Sequence, residues 1–288
     1  MEVLFSQPLV LIPAVLILGL VVGSFLNVVV YRLPIMMERQ WKSECCEFLE
    51  IADSEKKQEP FNLVVPNSTC PNCGHKIQPW ENIPIISYLF LGGKCSNCKT
   101  RISIRYPLVE LATGIFSAIA AWQLGYGPGL LPALLFTWCL VTLTLIDADH
   151  KLLPDNITLP LLWLGLLVNS QGIFTDLTSA VFGAAAGYLV LWSVYWLFKI
   201  LRGKEGMGYG DFKLLAALGA WCGWQQLALI IIFSAGVGAI LGALFLMSKG
   251  KDKSEPIPFG PFLAIAGWIA FLWGDSIVNS YTAFLIDQ

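Results

Sequence analysis

Eight apolar stretches, separated by short polar turns and one long polar loop, leave this chain essentially one way to fold, as a bundle of helices within a membrane. A segment inside the hydrocarbon core must satisfy its own backbone hydrogen bonds, and a helix about 17–25 residues long does so while crossing it. The stretches are residues 9–31, 107–124, 130–147, 157–174, 178–200, 211–224, 227–247 and 258–281. The sixth is the shortest and is rich in Gly and Ala. Composition agrees: apolar residues make up 56% of the chain and charged residues 13%, about half the charged share of a soluble domain. The first stretch reads as a retained span, not a cleaved leader, because Glu2 precedes it and no basic flank or cleavage site accompanies it.

Charge placement sets the expected sidedness. Every Lys and Arg falls within residues 32–105, 148–156, 199–213 or 249–255, whereas the turns near 125–129, 169–177 and 222–226 have none. Basic loops stay on the cytoplasmic face. Both termini are then expected on the periplasmic side. Asp147, ending the third stretch, and Asp211, opening the sixth, are expected in the same cytoplasmic leaflet. Three regions follow: 1–31, a first transmembrane helix; 32–105, a cytoplasmic loop; and 106–288, a membrane core.

The loop opens with a stretch of mixed charge (Glu38, Arg39, Glu44, Glu47, Glu50, Lys56, Lys57) that is partly helical by periodicity. It then carries Cys70-Pro-Asn-Cys73 and Cys95-Ser-Asn-Cys98, with 21 residues between them. Two such knuckles predict a tetrathiolate zinc site. A pair of disulfides or a redox site is the rival reading, which reducing cytoplasm disfavours. Four thiolates leave no open position for water, so the expected role of the metal is to hold the loop's fold. His75 is a spare candidate ligand. Cys45 and Cys46 lack a second pair, and Cys139 and Cys222 sit in apolar stretches as packing residues. Two histidines in the whole chain, His75 and His150, argue against histidine-dependent hydrolysis.

Ionisable residues at membrane depth mark functional sites. Asp147 has apolar residues, Leu145 and Ile146, immediately before it and is the best catalytic candidate near the third stretch. Asp149, nearer the charged turn, is the second. Asp155 follows Pro154 and reads as a helix N-cap. Asp211 follows Gly208-Tyr209-Gly210, whose glycines let a substrate strand approach closely. The segment lacks the Gly-Lys-Ser/Thr ending of a phosphate loop. Two facing carboxylates can share a proton, one accepting from water and the other donating to a carbonyl. Glu110 is a further membrane carboxylate, expected to pair with Arg105 or meet a basic substrate segment. Asn27 is expected to hydrogen-bond across helices.

Taken together, these motifs resemble the bacterial type IV prepilin peptidases, a family of Gly-x-Gly-Asp aspartyl proteases. The resemblance runs through Gly23 to Val29 with Tyr31-Arg32-Leu33-Pro34, and through the Cys knuckles flanking Trp80-Glu81-Asn82-Ile83-Pro84. It continues through Arg105 to Glu110, Ile146-Asp147, Leu153-Pro154-Asp155, Gly208 to Lys213 and Pro258-Phe259-Gly260-Pro261. It implies catalytic aspartates at Asp147 and Asp211 and metal ligands at Cys70, Cys73, Cys95 and Cys98. It also implies cleavage of the basic leader from prepilins and pseudopilins, followed by N-methylation of the new terminus, usually Phe, from S-adenosylmethionine. The loop is associated with the methyltransferase half.

The expected fold is therefore all-α and polytopic, with about eight transmembrane helices and a zinc-binding loop. The expected location is the bacterial inner membrane, and the expected partners are prepilins, lipid and a pilus or type II secretion assembly; no nucleic acid is expected. No Gly-x-Gly-x-x-Gly follows a predicted strand, so no residue is assigned to the methyl donor. A reading from another class is a proton-coupled transporter using Asp147, Asp211 and Glu110 as a relay.

Overall fold

The computed structural model describes residues 7–51, 60–204, 206–249 and 258–286. Lys56, Lys57 and most of the basic loop 249–255 lie outside them. The described residues are helical, with no sheet and two isolated β-bridges. The chain divides into two compact units, residues 1–126 and 127–288. The 107–124 stretch, grouped by sequence with the downstream core, belongs to the first unit.

The first unit is built on two helices, α1 (Pro8–Phe48) and α3 (Arg105–Leu124), with a short α2 (Ile86–Phe90) and a 3₁₀ turn (Pro79–Asn82) between them. Helix α1 does not stop near residue 31 but runs 41 residues through Pro34, about 60 Å at 1.5 Å per residue. Its extension is bound to the loop by arginines one heptad apart. Arg32, buried, donates to the carbonyls of Asn62 (2.9 Å) and Pro66 (2.7 Å). Arg32 and Arg39 both lie over the Phe61 ring, at 5.7 and 4.5 Å.

Helices α1 and α3 run antiparallel and touch through small residues. A Cβ at Gly19 would fall 2.6 Å from Ser117 Oγ, and one at Gly23 would fall 2.8 Å from Glu110 Cα. In a membrane, such close approach substitutes van der Waals packing for the absent hydrophobic drive. Asn27 bonds across the same seam, its amide donating to Tyr106 O at 3.2 Å.

The second unit holds α4 (Leu130–His150), α5 (Asp155–Asn169), α6 (Leu177–Arg202), α7 (Tyr209–Cys222), α8 (Leu227–Lys249) and α9 (Gly260–Ile286). Helix α7 is its centre, with every residue from Asp211 to Trp221 buried except the half-buried Lys213. Where α6 crosses it, Gly183 and Gly219 meet backbone to backbone, and a Cβ at Gly187 would fall 2.6 Å from Leu215 O. The Trp221 indole donates to Leu161 O at 2.8 Å and lies against Gly165. Buried Asn169 donates to Ala220 O (2.8 Å) and accepts from Phe174 and Thr175 N–H, so no amide atom is stranded.

Among the described residues, six helices are long and apolar enough to cross a membrane: α1, α3, α4, α6, Trp224–Leu244 and α9. The other two expected spans are shorter than sequence suggested. Helices α5 and α7 have 15 and 14 residues, about 22 and 21 Å against a core of about 30 Å. Both apolar stretches run on past the helix end, which comes at Ser170 in one and at Gly223 (φ +80°) in the other.

Because α6 and α7 meet through backbone atoms, Gly187→Ala is expected to destabilise the second unit by about 1–3 kcal/mol, the usual cost of overpacking. Gly236→Ala, where an added Cβ meets nothing within 4 Å, serves as the control and should be neutral or slightly stabilising. Thermal unfolding of the two variants in detergent would test this difference.

Candidate active site and metal module

Asp147 lies in the last turn of α4, 5% exposed, beside the fully buried Ile146 and Leu143. Its Oδ2 accepts a 3.0 Å hydrogen bond from the Gly260 N–H, one of the unsatisfied donors at the start of α9. That end also carries the positive pole of the helix dipole. A Cβ at 260 would fall 2.6 Å from Asp147 Oδ2 and would push the carboxylate from this position.

Asp211 lies in the first turn of α7, 6% exposed. Its N–H donates to Gly208 O at 3.3 Å, closing the turn. Gly210 packs on Leu153, where an added Cβ would fall 2.7 Å from Leu153 Cβ, and Leu153 also lies against Gly260. Leu153 thus seals the starts of α7 and α9 together. The turn is held from outside by rings: Tyr209, Phe212 and Tyr195 have centroids 5.2–5.6 Å apart. Leu153, packed against both Gly210 and Gly260, brings the turn that carries Asp211 alongside the end of α9 that binds the Asp147 carboxylate.

The neighbouring acids take other roles. Asp149 and His150 are exposed at the helix end. Asp155 is the first residue of α5, not its N-cap. Pro154 holds the cap position without a side-chain bond, and Asp155 instead receives both bonds of Lys213 Nζ at 2.7 Å. The Gly260 N–H is the functional contact that sequence reasoning missed. Pro258-Phe259-Gly260-Pro261 stood out as a motif, but nothing local ties it to a carboxylate 113 positions away.

In the first unit, Glu110 is buried and its Oε2 accepts from the Ile85 N–H at 2.8 Å. This backbone partner differs from the expected pairing with Arg105. The four loop cysteines come together, with all four sulfurs within 4.8 Å of one another. None is in a disulfide. The Cys70–Cys98 and Cys73–Cys95 sulfurs lie 3.7 and 4.0 Å apart. Tetrahedral zinc with bonds near 2.3 Å would require about 3.8 Å.

The two knuckles are built alike. Each is closed by a bond back to its first cysteine, Gly74 N to Cys70 O and Lys99 N to Cys95 O, and both closing residues have positive φ. Their asparagines are exchanged: the Asn72 amide donates to Cys98 Sγ (3.6 Å) and the Asn97 amide to Cys73 Sγ (3.7 Å). The Thr100 hydroxyl and N–H, together with Asn72, pull the Cys98 thiol down to about 5, towards the thiolate that a metal needs. His75 turns away to Glu81, with Nε2 3.0 Å from Oε2. The Gln78 N–H chiefly, then Ser96 and His75, hold Glu81 at about 2.

An all-helical membrane protein with a four-cysteine module and two buried aspartates at helix ends is a narrow class. Residues 17–124 match the bacterial peptidase A24 N-terminal domain, and residues 134–243 match the type IV leader peptidase family. Three relatives bear the name prepilin leader peptidase/N-methyltransferase. The one from Pseudomonas aeruginosa is 60% identical, covering 99% of this chain and 98% of its own length. That from Aeromonas hydrophila is 55% identical over 99% of both. That from Xanthomonas campestris pv. campestris is 50% identical over 94% of both. No solved structure matches significantly. The chain belongs to the type IV leader peptidase family.

Groups that hydrogen-bond metal ligands typically contribute 10- to 100-fold to affinity. Asn72→Ala and Asn97→Ala are each expected to weaken metal binding by about tenfold while leaving one ion per chain at saturation. Competition with a chromogenic chelator measures both quantities.

Proposed function

We propose that this chain cleaves the leader peptide from type IV prepilins and pseudopilins and then N-methylates the new amino terminus, with Asp147 and Asp211 as the catalytic pair. The observation that carries the peptidase assignment is the burial of these two carboxylates at helix ends in one unit, with Leu153 packed on the glycines beside both, Gly210 and Gly260. The relatives' shared name, over nearly the full chain, supports both activities.

Asp147, stabilised by the Gly260 N–H, is equipped to stay ionised and take the proton of the attacking water. Asp211, equally buried, carries the proton and gives it to the scissile carbonyl oxygen. A carboxylate pair of this kind titrates as a unit. The glycines at 208 and 210 leave backbone room for an extended substrate. A prepilin fits the surroundings: its basic leader remains at the cytoplasmic surface while its apolar helix enters the bilayer, bringing the scissile bond to the interface. The chain is placed in the inner membrane, with the site facing the cytoplasm and both termini periplasmic. Its working partners are the pilus or type II secretion assemblies.

The four-cysteine cluster is assigned to structural zinc, held by Cys70, Cys73, Cys95 and Cys98. S-adenosylmethionine is assigned as methyl donor. The described residues form no recognisable nucleotide fold for it, and no residue is given that role. The relatives' shared name supports the peptidase and methyltransferase reading and gives none to the transporter relay.

Asp147→Asn and Asp211→Asn are each expected to lower leader cleavage by about 10²–10⁴-fold, the usual share of a positioned acid or base. Methylation of a pre-cleaved pilin should survive, and Asp149→Asn should cleave normally. Electrophoretic shift of a prepilin substrate and transfer of a labelled methyl group measure the two steps. Full cleavage by Asp147→Asn with loss in Asp149→Asn would move the site by two residues. Gly260→Ala, whose methyl would crowd Asp147 Oδ2, should impair cleavage without affecting metal content.

A further inference from the structure

Residues 80–90 belong to the polar loop by sequence, yet a backbone hydrogen bond ties them to a membrane helix. Their anchor is Glu110, on α3, which accepts the Ile85 N–H. Ile85 is a β-branched residue at φ +60°, ψ −47°, and the Ile86 N–H bonds back to Pro84 O. This is a γ-turn of the rare positive-φ kind, a conformation retained only where surroundings over-determine it.

The anchor sets a depth. The apolar stretch of α3 begins at residue 107, so Glu110 lies about 4.5 Å inside it. On α1 the facing residue is Gly23, about 12 Å inside a stretch that ends at residue 31. Helix α2 follows the γ-turn at once and is only about 7.5 Å long, so it cannot climb far from that level. Leu89 and Phe90 are nevertheless 70% and 89% exposed, and Trp80, Ile83 and Ile86 are also uncovered. From Trp80 to Val109 the one acidic residue is Glu81, which is tied to the Gln78 N–H and His75, and the remaining charges, Lys94, Lys99, Arg101 and Arg105, are positive. Apolar and aromatic side chains bordered by basic ones suit the boundary between acyl chains and anionic headgroups.

We propose that residues 80–90 are a second membrane-contacting element, an interfacial hairpin seated in an anionic lipid surface through Trp80, Ile83, Ile86, Leu89 and Phe90. Glu110 positions it by fixing the γ-turn at Ile85. The proposal needs α1 and α3 to be membrane helices and is independent of the roles given to Asp147 and Asp211.

The test uses the full chain in vesicles of phosphatidylethanolamine and phosphatidylglycerol. A photoreactive benzoyl-phenylalanine is placed at Phe90, in a second variant at Leu89, and in a third at Val64. Val64 is equally exposed but belongs to the segment clamped by Arg32, nine residues or about 13 Å further along α1. After illumination, lipid adducts found by mass spectrometry are expected at 90 and 89 and absent at 64. Glu110→Ala should abolish the adduct at 90, and Glu110→Gln, which keeps an acceptor, should restore it, with metal content unchanged in both. Equal labelling at 90 and 64, no adduct at 90 or 89, or adducts chiefly to a second copy of the chain or to added pilin would overturn the proposal.

Discussion

The second unit depends on how closely α7 can be approached. Helix α7 has 14 residues and cannot hold its position by spanning the bilayer, so the surrounding helices must hold it. They do so by contacts that exclude side chains: Gly183 on Gly219, Gly187 on Leu215 O, and Gly165 under the Trp221 indole. Interiors packed this tightly transmit displacement instead of absorbing it. The position of Asp211 therefore follows from residues up to three turns away along the same helix.

Both aspartates use the same local device. Each sits at the N-terminal end of a helix, Asp211 on its own helix and Asp147 at the start of α9, and a glycine leaves room for it there. Unsatisfied backbone donors and the helix dipole make such ends hospitable to negative charge. At such an end a fixed backbone dipole takes the place of water, as the Gly260 N–H does for the Asp147 carboxylate. The metal module uses fixed dipoles in a similar way, with Asn72 and Asn97 amides directed at sulfur across the pseudo-symmetric pair of knuckles.

Much of this was legible from sequence, and the gaps have physical causes. The helices themselves, the four-cysteine cluster and the burial of Asp147 near an exposed Asp149 follow from local chemistry: apolar runs, knuckle spacing, and a carboxylate directly preceded by Leu145 and Ile146. What sequence misjudged was where helices end. Apolar residues after Ser170 and at Gly223 count towards hydropathy although the chain has already turned, so α5 and α7 appeared longer than they are. In α1 the reverse held, because polar residues past Arg32 ended the apolar run but not the helix. Contacts distant in sequence, such as Gly260 to Asp147, Ile85 to Glu110 and Lys213 to Asp155, leave no local trace. They involve backbone atoms or exposed charges whose partners are chosen by the fold.

The continuity of α1 through Pro34 makes the membrane helix and the mount for the loop a single rod. Arg32 and Arg39, seven residues apart, hold Phe61 from one face of that rod. The azimuth and height of the 60–66 segment are therefore set by helical phase, not by the loop's own folding. Adding one residue between Val30 and Arg32 would swing both guanidinium groups by about 100° and lift them by about 1.5 Å, releasing the clamp without altering any residue that forms it. The loop is geared to the bilayer, and the length of the shaft is part of its structure.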